Sequence, residues 1–118
     1  MNQYVIEIPD WLPTPLNKLM GNWRQSAKLK KQDREMIWAY SRLAKVPYER
    51  IKRSVELIIT LEPAQRAVDP DSYQKSVGDA LVNSYALWND SHLWVEWLPI
   101  KFERGARRNT RILLRDIA

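Results

Sequence analysis

The sequence predicts a small α+β domain, a mixed sheet with two helices packed on it, in the order β-α-β-α-β-β. Two separated stretches, roughly 25–45 and 70–85, carry apolar residues at helical spacing. Four short runs around and between them are rich in β-branched or aromatic residues and alternate apolar with polar. At 118 residues the chain fits a single domain, 1–118, large enough to bury a core without staples.

The first run, Val5-Ile6-Glu7-Ile8, reads as a strand closed by Pro9. Pro9, Pro13 and Pro15 then make a stiff loop, because proline lacks the amide that a central strand or helix interior needs. Residues 16–24 are an irregular lead into the first helix. Leu29, Met36, Tyr40 and Leu43 form its expected buried stripe. Lys28, Lys31, Glu35 and Arg42 fall one position aside as a mostly basic face, and Pro47 ends the helix. Residues 54–61 are the strongest strand, with Val55, Leu57, Ile59 and Leu61 on one face. In the second helix Tyr73, Val77, Ala80, Leu81 and Ser84 face inward, while Asp71, Lys75 and Asp79 recur every four residues outside. Residues 93–97 read as a third strand with Leu93, Val95 and Trp97 on one face. Gly105 lies in a basic loop, and 110–114 are a fourth strand, expected to pair with the third as a hairpin.

Lysine and arginine number 19 against 14 acids, and the sequence pI is about 9.6. The excess is uneven: from Lys18 to Arg53 there are eleven bases and three acids, and from Lys101 to Arg115 six bases and one acid. Such a balance suits a polyanionic partner, although a solvated basic surface gives the same count. The absence of cysteine excludes disulfides and thiolate chemistry. With His92 the only histidine and no serine in a G-x-S-x-G setting, a hydrolytic triad has little support. No apolar run reaches membrane-spanning length and the N-terminus lacks signal-peptide features, so the expected location is the cytoplasm, with no membrane partner.

The acids concentrate where chemistry is plausible. Asp69 precedes Pro70, which biases it to extended backbone, and proline suits the first helical position. Asp69 and Asp71 therefore read as helix-capping acids worth about 1 kcal/mol each. Asp71, Lys75 and Asp79 equally read as a surface ion-pair ladder. A second reading is catalytic. Residues i and i+2 of extended chain project to one side, so Asp69 and Asp71 can share a cation. Asp90 follows nineteen residues after Asp71 and joins them only if the next strand packs alongside. Mg²⁺ favours one or two carboxylates completed by water and phosphate oxygens, and Lys75 can neutralise an oxyanion.

The ordered set Asp69-x-Asp71-x-x-Gln74-Lys75-x-x-x-Asp79-Ala80-Leu81, then Leu87-Trp88-Asn89-Asp90, resembles the RusA family of Holliday-junction resolvases. Pro15-Leu16-Asn17-Lys18 and Asn22-Trp23 also look like the opening loop of its phage members, so the resemblance covers essentially the whole chain. These are small homodimeric nucleases of phages and prophages. The resemblance implies that two subunits bind a four-way DNA junction and nick two strands symmetrically with Mg²⁺, or Mn²⁺ in its place, and no small-molecule cofactor. It implies that Asp69, Asp71 and Asp90 hold metal and orient water, and that Lys75 assists catalysis. The chain departs from the pattern at Ser72, where the family has asparagine, and at Asn89, where many members have aspartate. It also lacks the usual glycine in Asn83-Ser84-Tyr85-Ala86-Leu87. A nuclease for flaps or forks, and a non-catalytic DNA binder with a lapsed metal site, remain the alternatives.

Candidate DNA contacts are Lys18, Arg24, Lys28, Lys30, Lys31, Arg66, Arg104, Arg107 and Arg108, each of which also reads as an ordinary solvated side chain. Arg66, three residues before Asp69, is placed for a phosphate near the metal. His92 reads first as a surface histidine and second as a ligand or proton carrier. Trp94 shares its face and is expected in a dimer interface, with base stacking the alternative. Trp11, Trp23 and Trp38 read as packing residues.

Overall fold

Strand β2 (Lys52–Leu61) is the spine of the molecule. In the computed structural model, which describes residues 2–15, 23–67 and 70–117, it pairs with three other strands. The chain order is β1 (Gln3–Pro9), α1 (Trp23–Leu43), β2, α2 (Pro70–Asn83), β3 (Val95–Trp97), β4 (Lys101–Arg104) and β5 (Asn109–Ile117). β5 lies between β1 and β2, antiparallel to both, and places Ile6, Ile112 and Leu57 in one row. β3 and β4 run parallel to β2, against its first and second halves respectively. The mixed sheet and two helices match the α+β expectation.

Alternation along the strands explains the layers. Ile6, Ile8, Val55, Leu57, Ile59, Leu61, Ile112 and Leu114 point to one face and share a core with Ile37, Tyr73, Val77 and Leu81 of the helices. The opposite face carries charge pairs, Arg111–Glu7 at 3.0 Å and Lys101–Glu56 at 2.9 Å. That is the pattern of a sheet with one wet face. The Glu56 carboxylate raises the pKa of Lys101.

Four expectations need correction. The last strand does not form a hairpin with β3: the two flank β2 on opposite sides, and β5 zips along nearly the whole of β2. Alternation marks a strand but not its neighbour. β4, Lys-Phe-Glu-Arg, has no counterpart among the expected strands; its backbone pairs with Ile58–Leu61 of β2 while Phe102 packs against the core. Leu43 is 75% exposed. α1 buries Ser26, Asp33, Ile37 and Ser41, with Leu29, Met36 and Tyr40 half-buried, so small polar side chains form part of the inner face. Leu93 is exposed, because the backbone turns at Ser91, whose carbonyl accepts from the amides of Trp94 and Val95. The inward stripe of α2 is as expected: Tyr73, Val77, Ala80, Leu81 and Ser84 are all buried. Trp11 is half-buried against the core, whereas Trp38 is half-exposed and is not a core residue. The Trp23 side chain lies outside the described residues.

Both helices end in the same motif. Val46 N donates to Ser41 O and Lys45 N to Arg42 O; Ala86 N donates to Leu81 O and Tyr85 N to Val82 O. Lys45 and Tyr85 therefore adopt left-handed backbone, with φ of 58° and 63°. For residues other than glycine this costs about 1–2 kcal/mol each. No helix among the described residues is long and apolar enough to cross a membrane.

Candidate active site

α2 follows the parallel crossover from β2 to β3. Its buried stripe fixes its rotation on the sheet, which leaves Asp71, Lys75 and Asp79 exposed. Gly78 sets how close β3 can come. A Cβ there would sit 3.1 Å from Cζ2 of Trp97, so the bare backbone lets the indole lie against the helix.

The connection 84–94 between α2 and β3 brings in Asp90. Its first half is anchored from beneath by Arg53, which is 1% exposed. Arg53 Nη1 donates to Ala86 O at 2.8 Å and to Pro47 O at 3.0 Å, and Nε donates to Asp116 Oδ1 at 2.7 Å. Arg53 also lies over the Tyr4 ring at 5.2 Å. Its second half is shaped by Asn89, whose Oδ1 accepts from Ser91 N at 2.9 Å. Asp90 thus sits on a loop held at both sides, with its own side chain exposed.

The outcome is an open depression of about 320 Å³ lined by Asp71, Gln74, Lys75, Gly78, Asp90 and Trp97. Three of the four expected catalytic residues, Asp71, Lys75 and Asp90, line it together. Asp69 lies outside the described residues. Among the described residues no group of three potential metal ligands forms. Asp71 and Asp90 nevertheless provide two hard oxygen donors on one depression, which fits the preference of Mg²⁺ for few carboxylates plus water and phosphate. His92 is exposed and does not line the depression.

The other flank of α2 holds a cavity of about 340 Å³ toward α1, whose lining includes Lys30, Arg34, Asp33 and again Lys75. Asp33 accepts from Thr14 N at 2.9 Å and from Thr14 Oγ1 at 3.2 Å. Burial raises its pKa above the ordinary carboxylate value, and the two Thr14 bonds oppose that shift. Tyr73, on the buried stripe of α2, has its pKa raised by burial.

The expected DNA contacts that fall among the described residues are all exposed. Arg24, Lys28, Lys30 and Lys31 are exposed on α1, with Lys31 4.0 Å from Glu35. Arg66 and Arg107 are exposed near the start of α2 and in the β4–β5 turn. Arg104 and Arg108 are exposed but engaged. Arg104 donates to the carbonyls of Glu62 and Gln65, and Arg108 Nε donates to Asp10 O at 3.2 Å. Lys18 lies outside the described residues. Trp94 is half-buried beside Trp88.

Sequence reasoning missed Gly78, Trp97, Arg53 and Asp116. A signal existed for two of them. Arg53 continues the inward alternation of Val55, Leu57 and Ile59, and Asp116 continues that of Ile112 and Leu114, so each puts a charge where a core residue belongs.

No protein-family model matches the chain, and no curated protein matches it.

Proposed function

We propose that this chain is a Mg²⁺-dependent, structure-selective DNA endonuclease of RusA-like type that resolves four-way junctions as a homodimer in the cytoplasm. The observation that carries the reading is the meeting of Asp71, Lys75 and Asp90 at one open depression, across nineteen residues of sequence. The net charge of +5 supports a polyanionic substrate, because basic side chains draw phosphates toward a site that its own acids would otherwise repel.

In this mechanism Asp71 and Asp90, with Asp69 two residues before Asp71 in sequence, would hold the cation and accept hydrogen bonds from the attacking water. Bound Mg²⁺ supplies a Lewis acid for the phosphoryl oxygens and favours ionisation of water. The Lys75 ammonium donates to a non-bridging phosphate oxygen as negative charge builds there. Water oxygen forms the new bond to phosphorus and its proton passes to solvent, while the bond to the leaving sugar oxygen breaks and that oxygen takes up a proton from solvent to leave as a hydroxyl. Because the depression is open and its acids exposed, a duplex or branch can reach it without a lid. Recognition rests on phosphate positions and junction shape, not base edges.

The test is incubation with a labelled four-way junction and a linear duplex, with Mg²⁺ and with EDTA, beside Asp71→Asn and Lys75→Ala. Symmetric nicks confined to the junction, dependent on metal and lost in Asp71→Asn with binding retained, are expected. Lys75→Ala should slow cleavage by about 10²-fold with little loss of affinity. Binding without cleavage under every metal would replace the enzyme with a DNA-binding protein.

A further inference from the structure

Five side chains from three segments meet at the end of the sheet where β2 begins. Tyr48 and Arg50 precede β2, Tyr85 ends α2, and Trp88 and Trp94 lie on either side of Asp90. The Tyr48 ring stacks on Trp88, with centroids 5.2 Å apart and planes at 23°, and meets Tyr85 edge-on at 5.2 Å. Trp94 lies 6.3 Å from Trp88, and the Arg50 guanidinium sits over both indoles, at 5.8 and 5.5 Å.

This cluster is not core. Tyr48 and Tyr85 are each 52% exposed, and Arg50 is exposed. Tyr85 also holds the left-handed position that glycine fills without strain, so a large ring stands on the surface at a backbone cost.

We propose that the cluster is a stacking platform for an unpaired base of the DNA strand whose phosphate lies at the Asp71–Lys75–Asp90 depression. The proposal rests on the nuclease reading for that strand's position. Trp88 and Asp90 are two residues apart, at most about 7 Å of backbone, which is about two base steps of ~3.4 Å. A strand held at Asp90 therefore has neighbouring bases within reach of the rings. Base faces stack on aromatic rings whatever their sequence, and Arg50 adds a cation to the stack. Paired bases hide those faces, so the platform selects nucleotides freed at a branch point.

The test is fluorescence anisotropy in EDTA, with a short labelled single-stranded oligothymidylate and an abasic strand of equal length. The native chain should prefer the strand with bases. Tyr48→Ala with Tyr85→Gly should lower affinity for that strand on the order of 10-fold and leave the abasic strand unaffected. Tyr85→Gly alone relieves the left-handed strain, so it keeps the fold and should show part of the loss. Tyr48→Leu retains packing on Trp88 if Tyr48→Ala melts. Absence of a base preference, or unchanged affinity in the folded variants, overturns the platform. Sedimentation showing a native dimer that the variants split, with strand affinity unaltered, makes the patch an interface between two copies and also overturns it. Binding in EDTA does not depend on cleavage. A base preference without junction cleavage sinks the nuclease and keeps the platform; cleavage without the preference does the reverse.

Discussion

Replacing Arg53 by methionine tests both the fold and its link to the site. The change removes a guanidinium that is 1% exposed and makes three hydrogen bonds, one of them to Asp116, itself buried. Asp116 then keeps a buried charge without its cation, and the carbonyls of Pro47 and Ala86 lose their donor. Breaking such a pair costs about 3–5 kcal/mol. For a chain of 118 residues the unfolding entropy is about 0.25 kcal/mol/K, so Tm should fall by about 12–20 °C. Circular dichroism melts at neutral pH measure this directly. Arg53→Met with Asp116→Leu should recover most of the loss, because two apolar side chains can replace a buried pair at little net cost. The link to the site is the Ala86 carbonyl, four residues before Asp90. On the nuclease reading, Arg53→Met should cleave junctions at least about 10-fold more slowly well below the melting point, since a shift of about 1 Å in a catalytic group can cost more than that. A Tm within about 5 °C of the native protein, or a double variant no better than the single one, would refute the reasoning.

Two further substitutions probe the flanks of α2. Asp33→Asn should stabilise the protein at pH 7, read as a small rise in Tm, because burial penalises the ionised carboxylate. The sign follows from the raised pKa: the folded state takes up a proton before the unfolded chain does. The advantage of asparagine should therefore be absent below the unfolded value near 3.8 and develop as pH rises through the folded pKa. Equal stability of the two forms at pH 3 and pH 7 would count against it. Gly78→Val should cost about 1–3 kcal/mol through overpacking on Trp97, whose ring edge already lies 3.1 Å from the new Cβ position. If its melt and its metal-dependent cleavage both match the native protein, Trp97 is not held against α2.

The sequence revealed α2 and β2 well because hydropathy and period agree there. Tyr73, Val77, Ala80, Leu81 and Ser84 fall on one helical stripe, and Val55 through Leu61 alternate without interruption. α1 was less legible, since Ser26, Asp33 and Ser41 are buried while Leu43 and Trp38 are exposed. Hydropathy assigns small hydrogen-bonded side chains to the wrong side. Pairing was hidden because β5 and β3 both complement β2, and only three-dimensional packing decides that they take opposite edges. β4 carried no strand signal because its backbone bonds, not its side chains, make it a strand. At the site, residue identities were readable but proximity was not. Nothing in the spacing from Asp71 to Asp90 shows that the connecting loop returns along α2.

That return depends on residues with no part in the chemistry. Gly78 admits Trp97 against α2, and Arg53 ties the start of the Asp90 loop to β5 through Asp116. Asp90 is thus positioned through two long-range contacts, whereas Asp71 and Lys75 are positioned by one helix whose buried stripe is nearly complete. The two sides of the depression should therefore fail separately. Weakening the Arg53 or Gly78 contacts moves Asp90 while α2 keeps Asp71 and Lys75 in register. On the nuclease reading such variants should still bind branched DNA and lose metal-dependent cleavage, at temperatures where their circular dichroism remains native. Loss of binding and cleavage together, at matched folded fraction, would mean that the loop and the helix move as one body.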